Sequence, residues 1–401
     1  MDQQILLWGL VALIGVLIAL LVLVQLQRKL DGRAPSSTQA TSAGEGVSLQ
    51  SAVRNRFRAS LGLPPNGIGG SASASTAKRR KGAAAAIAVA AAVIGVGVSL
   101  SKTIDHSGGN AVETEISAGA LKGTLLMARK SDPIMLIVPG SGPTDRNGNS
   151  PLGVHANTYR LLAKALAKDG ISTVRVDKRG MFGSASVGDP NAASIPIYVA
   201  DYHAWIDAIR ATTGAKCVWL LGHSEGALMV SAAAEGRKDV CGLILVSGAG
   251  RPVLDVIREQ LQANPANAPI LPQALHALDE LKAGRHVDTS SLNPALAPLF
   301  PPKAQDFMIS AYAVDPVEVL RKAHKRTLIL QGTTDLQTSL EDAKLLNAAP
   351  RTRLVVLEGV NHVLKEAPAD RAANVATYTN PDLPIPDSVT RAIANFVRDD
   401  D

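Results

Sequence analysis

Between Lys216 and Glu235 the chain reads KCVWLLGHSEGALMVSAAAE, and no other stretch constrains the fold as strongly. An apolar run, Val218 to Leu221, leads into Gly222-His223-Ser224-Glu225-Gly226, and an alanine-rich segment with helical character follows. A serine flanked by glycines at this spacing, with a strand before it and a helix after it, describes a sharp strand-to-helix turn. Such a turn needs small residues on both sides of the serine, which accounts for Gly222 and Gly226. It lifts the Ser224 hydroxyl clear of the sheet and points the helix N-terminus at it, where unpaired N–H groups favour negative charge. In a chain with 34 glycines the five-residue pattern also arises by coincidence, so its weight rests on its flanks and on its partners elsewhere.

The chain from 112 to 250 alternates short apolar runs with helical patterns. Val112 to Ser117 and Leu121 to Ala128 read as paired strands, and Pro133 to Val138 (PIMLIV) as a buried one. A helix from Tyr159 to Lys168, a strand from Ile171 to Val176 and a helix from Ile197 to Thr212 precede the turn at Ser224; Cys241 to Val246 is the next strand. This rhythm predicts a mainly parallel sheet covered by helices on both faces. It breaks at Arg251. From 251 to 325 the sequence offers helical patterns (Val253 to Gln262, Pro272 to Lys282, Val317 to Lys322) and proline-rich loops, which read as a helical cap over the carboxyl ends of the strands. From 326 to 401 the sheet resumes with Thr327 to Leu330 and Arg353 to Leu357. Helices are expected at Leu340 to Asn347 and from Asp387 to Val397.

Ligands of open α/β sheets bind beyond the carboxyl ends of the strands. Three such ends carry Ser224, Asp335 (in QGTTD) and His362 (in GVNH), in that chain order. A serine hydroxyl is a weak nucleophile at neutral pH and needs a general base, for which His362 is the candidate. Asp335 would hold the imidazole tautomer and stabilise the imidazolium. Each has a plainer reading, as a loop cap for Asp335 and as a polar loop residue for His362. His223 is set aside as pointing elsewhere; His155 and His203 stay open but do not follow the last strand. Developing negative charge on a substrate oxygen requires hydrogen-bond donors. The backbone N–H of Glu225 is one; the second is expected from the loop after PIMLIV, at Ser141 or Gly142. Asp145-Arg146-Asn147-Gly148-Asn149 opens like a calcium loop, but its twelfth position is Ala156 where a bidentate glutamate is needed, so calcium is rejected. Arg179, in DKRG, is expected to pair with a buried carboxylate and brace the loops.

Taken in order, PGSGPTDRNGN, DKRG, GHSEG, QGTTD and GVNH resemble the α/β-hydrolase superfamily, and within it bacterial esterases of the serine-aminopeptidase-like (S33-type) branch. The resemblance covers residues from about 112 to 400. It implies an α/β-hydrolase fold and a Ser–Asp–His hydrolase of carboxylic esters with short or medium acyl chains, acting on a small-molecule ester without metal or cofactor. Two other functions stay open: a peptidase or amidase using the same three residues, with Asp279 and Glu280 available to meet a free N-terminus, and an inactive membrane-anchored binding protein.

The first hundred residues depart from that pattern. Ile5 to Val24 is an apolar run of 20 residues. At about 1.5 Å per residue it spans a hydrocarbon core of about 30 Å. Residues 1–30 thus read as a transmembrane helix with its flank, 31–81 as a flexible basic linker and 82–101 as a second apolar span. Within the linker, Leu49, Val53, Phe57 and Leu61 recur every fourth position among Arg54, Arg56 and Arg58, the pattern of a short basic helix on an anionic leaflet or of a solvated basic stretch. The net charge of +6 resides here: residues 1–100 hold 10 Lys and Arg against 3 Asp and Glu, and all ten cations lie between the two runs. The positive-inside rule then makes this connection cytoplasmic and places the body on the outer, periplasmic or extracellular, side of a bacterial inner membrane. A second run lying in the interface would instead leave the body in the cytoplasm. The remainder of the chain is nearly neutral, which argues against a nucleic-acid partner. Cys217 and Cys241, the only cysteines, begin two neighbouring strands and read equally as a disulfide or as two buried thiols.

Overall fold

The structure, a computed structural model, describes residues 112–128, 133–263 and 267–399. Both N-terminal apolar runs and the linker lie outside the described residues. Among the described residues no helix is long and apolar enough to cross a membrane.

Eight strands form one sheet in the order β1-β2-β6-β3-β7-β8-β9-β10. They are β1 (Val112–Ala118), β2 (Leu121–Met127), β3 (Ile134–Val138), β6 (Ser172–Val176), β7 (Val218–His223), β8 (Val240–Val246), β9 (Thr327–Gly332) and β10 (Thr352–Leu357). β2 is antiparallel to both β1 and β6, and every pairing from β6 through β10 is parallel. Parallel strands are joined by crossovers that lay helices on both faces, so their residues are apolar throughout rather than alternating. β3 shows this: all five residues are buried. Ile134, Leu136 and Val138 pack on one side with the helices Ile195–Thr213 and Glu225–Ala234. Met135 and Ile137 pack on the other with Thr158–Lys168 and Asp387–Arg398. Helix Thr158–Lys168 buries Tyr159, Leu162, Ala163 and Leu166, the spacing of a single helical stripe.

Between β8 and β9 the described residues contain no strand. Helices Val253–Ala263, Leu271–Lys282 and Pro316–Ala323 alternate with short turns. Leu254, Leu278, Leu281, Phe300 and Tyr312 bury themselves in the same core as helix Glu225–Ala234, so this segment grows out of one face of the sheet.

Several short elements, among them the helical turns Gln305–Phe307 and Met308–Tyr312, have no counterpart in the sequence pattern, and two show why. A two-residue pair, β4 (Asn149–Ser150) with β5 (Val154–His155), stands inside the loop after β3. It is too short to produce a periodic pattern, and its end is braced by bonds between Asn149 and Asn157, Asn149 Nδ2 to Asn157 Oδ1 at 2.9 Å and Asn157 N to Asn149 Oδ1 at 3.0 Å. A six-residue helix, Arg371–Ala376, is started by the Asp370 carboxylate, which accepts from Ala373 N at 2.9 Å.

Cys217 and Cys241 form a disulfide with their Cα atoms 5.3 Å apart, tying the start of β7 to the start of β8. Of the two readings left open by the sequence, the structure takes the bonded one.

Candidate active site

β7 ends in the turn that carries Ser224. The serine sits at φ 55° and ψ −122°, a left-handed conformation that side chains rarely adopt. Its N–H donates to Val246 O at 2.9 Å, which fastens the turn to the end of β8. The flanking glycines are required by space. A Cβ on Gly222 would lie 2.2 Å from the Gly226 carbonyl oxygen, and one on Gly226 would lie 2.6 Å from the Val138 carbonyl oxygen. Strand, turn and helix therefore meet backbone to backbone, and Ser224 is left half-buried at the surface of the turn.

Asp335 follows β9 and His362 follows β10, so neighbouring strand ends bring them together. The Asp335 carboxylate lies 2.9 Å (Oδ2) and 3.1 Å (Oδ1) from His362 Nδ1. It also accepts from the N–H groups of Gln337 (2.7 Å) and Thr338 (3.1 Å) and from the Thr338 hydroxyl (3.1 Å). Burial alone would push this carboxyl upward. The adjacent His362 and the two backbone N–H donors outweigh burial and hold it down at about 2. It is therefore an anion at neutral pH, with its charge shared among fixed donors. Because Nδ1 faces the carboxylate, Nε2 is the imidazole nitrogen left for a hydroxyl. Among the described residues no hydrogen bond joins it to Ser224. The His362 ring nonetheless lies beside the turn, its centroid 4.8 Å from that of His223, the residue preceding the serine.

The loop after β3 runs directly beneath Ser224. A Cβ on Gly140 would come 3.0 Å from Ser224 Cβ. Among the described residues the backbone N–H groups of Ser141, Gly142 and Glu225 donate to no acceptor, so donors from both sides of the serine are free. The polar residues of DRNGN are spent on holding the loop, within itself and against the end of β6. Asp145 Oδ1 accepts from the N–H groups of Asn147 and Asn149, both at 2.8 Å. Arg146 forks onto Asp177 at 2.8 and 2.6 Å. Arg179 makes the expected carboxylate pair, a two-pronged one to Asp201 at 2.6 Å for each bond.

The family model described as serine aminopeptidase, S33, matches residues 151–366, which contain Ser224, Asp335 and His362. The chain belongs to the S33 serine aminopeptidase family. It is accordingly an α/β-hydrolase and a serine hydrolase. No curated protein matches the chain. Among solved structures, Est1E from Butyrivibrio proteoclasticus with bound ferulic acid is similar at 17% identity, over 66% of this chain and 96% of that one, with a TM-score of 0.43. A lipase-esterase related protein from Clostridium acetobutylicum is similar at 18% identity over 69% and 99%, TM-score 0.43. An esterase from Pyrococcus furiosus is similar at 15% over 72% and 89%, TM-score 0.45.

Four residues at the site escaped the sequence reading of this family member. His223 does not point away from the chemistry, as its place on the turn had suggested. Its side chain is buried and runs under the site, with Nδ1 2.8 Å from the Tyr159 hydroxyl and Nε2 2.8 Å from the His362 carbonyl oxygen. Tyr159 in turn accepts from Gly140 N at 3.1 Å. The buried Lys178 ammonium donates to Gly140 O at 2.6 Å. Tyr312, from the segment between β8 and β9, reaches the turn itself and donates to Glu225 Oε2 at 3.0 Å. Lys178 in DKRG and His223 in GHSEG stood in motifs at strand ends. Tyr159 and Tyr312 announce nothing in their local sequence.

Proposed function

We propose that Ser224, His362 and Asp335 act as a catalytic triad and that the chain is a carboxylesterase of short- or medium-chain esters. The observation that carries this reading is the buried Asp335–His362 pair at 2.9 Å, set at strand ends beside the strained serine turn. In this mechanism His362 Nε2 takes the Ser224 proton as Oγ attacks the ester carbonyl carbon. Asp335 holds Nδ1–H and stabilises the imidazolium. The oxyanion is received by the N–H of Glu225 and by that of Ser141 or Gly142. Collapse of the tetrahedral adduct breaks the bond to the alcohol, which leaves with the proton from His362. Water, activated by the same imidazole, then hydrolyses the acyl-serine and restores the enzyme.

The family's description favours a second reading, an aminopeptidase or amidase with the same three residues. The acidic groups first considered for an N-terminus are engaged otherwise: Asp279 pairs with Arg258, and Glu280 with Arg285. The body is also proposed to stand outside the cytoplasm, tethered to the bilayer by the N-terminal apolar runs. The Cys217–Cys241 disulfide supports this, because such bonds persist in oxidising compartments.

Rates on p-nitrophenyl butyrate and on matched aminoacyl p-nitroanilides separate the two readings. The ester reading expects hydrolysis of the butyrate to exceed that of every anilide and to vanish in Ser224→Ala; faster anilide cleavage establishes the peptidase.

A further inference from the structure

We propose that Tyr159, His223 and Lys178 are positioning residues that hold the oxyanion loop in register with the catalytic histidine. The proposal rests on the triad reading above and deepens it. Its basis is a buried chain of hydrogen bonds in which every donor and acceptor is accounted for. Gly140 N donates to the Tyr159 hydroxyl at 3.1 Å, and that hydroxyl lies 2.8 Å from His223 Nδ1. His223 Nε2 lies 2.8 Å from the carbonyl oxygen of His362. A carbonyl only accepts, so Nε2 carries the proton; Nδ1 must then accept, and the Tyr159 hydroxyl donates to it. One tautomer of one neutral histidine thus connects the backbone beside the oxyanion donors to the backbone of the catalytic base.

The chain is closed to alternatives. Burial of His223, together with repulsion from His362, lowers its pKa from 6.5 to about 3, so it stays neutral across the working range. A protonated imidazole would present a second donor to the Tyr159 hydroxyl and break the sequence of bonds. Burial also holds the Tyr159 hydroxyl protonated, well above its ordinary range.

Lys178 acts on the next peptide. Its ammonium donates to Gly140 O at 2.6 Å. In a trans peptide the carbonyl and the following N–H point in opposite directions. Drawing the Gly140 carbonyl toward the buried ammonium therefore turns the Ser141 N–H away from it, and that N–H has no other acceptor among the described residues. Gly140 itself abuts Ser224, where a Cβ would come 3.0 Å from Ser224 Cβ, so no side chain can stand between this peptide and the nucleophile. Both peptides flanking Gly140 are consequently fixed, one by Tyr159 and one by Lys178. The same construction fixes the loop that carries His362.

The test compares an ester with its thionoester, in which sulfur replaces the carbonyl oxygen. Sulfur accepts hydrogen bonds poorly from an aligned oxyanion hole, so the oxygen-to-sulfur rate ratio reports donor alignment, whereas a general loss of structure lowers both rates alike. Tyr159→Phe is expected to lower kcat on p-nitrophenyl butyrate roughly 10- to 100-fold with little change in KM, the scale of a small misplacement of catalytic groups. The oxygen-to-sulfur ratio is expected to fall with it. Lys178→Met removes the other anchor, keeps the side-chain volume and carries the same expectation, so it decides the matter if Tyr159→Phe does not fold. Folded variants with the wild-type kcat and ratio overturn the proposal, as do variants whose two rates fall together at constant ratio. Ser224→Ala, assayed alongside, separates the two levels: if it retains activity the triad reading itself fails, and if it is inactive while the anchor variants behave as wild type only this inference fails.

Discussion

The loop after β3 and the segment between β8 and β9 both reach the serine turn, the first through Gly140 and the second through Tyr312, yet they are held by different forces. The loop is pinned by directional bonds, many to partners out of water: Lys178 and Tyr159 on Gly140, Asp177 on Arg146, and Asp145 on its own backbone. The helical segment is held by apolar side chains on the shared core and by ion pairs near the surface, such as Lys282–Asp255 at 2.7 Å, between side chains 47% and 32% exposed. Directional bonds in a low-dielectric interior fix a geometry, and surface pairs contribute little. The difference teaches where precision is demanded. The loop after β3 is over-determined by directional bonds, whereas the helical segment is free to vary in detail.

Four perturbations separate the two regions. The largest effect is expected at the directional end. Asp335→Asn keeps the shape of the site but removes the anion that orients His362, and kcat should fall on the order of 10⁴-fold. Steady-state kinetics on p-nitrophenyl butyrate measures this; a loss under tenfold would show that the buried pair is structural.

Next is the response to acid. His223 has a folded-state pKa of about 3 against 6.5 unperturbed. Between these values the unfolded chain binds the proton and the folded one does not, so His223 contributes stability that is complete above pH 6.5 and declines as the pH falls toward 3. The slope approaches about 1.4 kcal/mol per pH unit. Urea unfolding between pH 4 and 6.5 should show this slope in the wild type and a flatter one in His223→Gln. Identical slopes would place the imidazole in contact with water.

The disulfide comes third. It closes a loop with a sequence separation of 24, for which chain entropy gives roughly 3 kcal/mol. Denaturant unfolding with and without reductant should differ by that amount, while esterase kcat in native buffer should stay within about twofold, since the bond ties strand starts at the end opposite the site. The smallest effect is expected in the helical segment. Lys282→Ala should cost below about 1 kcal/mol in the same assay, and a larger loss would contradict the contrast between the two regions.

What could be read in the chain follows from the range of the interactions. β3 and β7 carry unbroken apolar buried runs, so their composition exposed a parallel sheet, whereas β6 is equally buried yet contains Ser172, Thr173 and Arg175. Ser224 and Asp335 were legible because each stands just beyond an apolar buried run, and His362 because it follows β10, an apolar edge strand that is only partly buried. The turn demanded glycines, and Gly222 and Gly226 stand where backbone would otherwise collide with a Cβ. The bracing was not legible. His223 meets Tyr159 across 64 positions and His362 across 139, and Tyr312 meets Glu225 across 87. No local pattern encodes contacts of that range. The same reasoning misplaced His223, since a turn residue shows its direction only once the sheet beneath it exists. The β4–β5 pair escaped because two residues on each side are too few to show an alternation.

The central claim is that Ser224 is the activated nucleophile of a working site, and active-site labelling tests it most directly. Folded protein treated with a fluorophosphonate should carry the label on the peptide containing Ser224. Labelling should disappear in urea and in Ser224→Ala, in step with loss of butyrate hydrolysis. Folded wild-type protein that leaves Ser224 unlabelled, or a Ser224→Ala variant that hydrolyses the ester at the wild-type rate, would contradict the account.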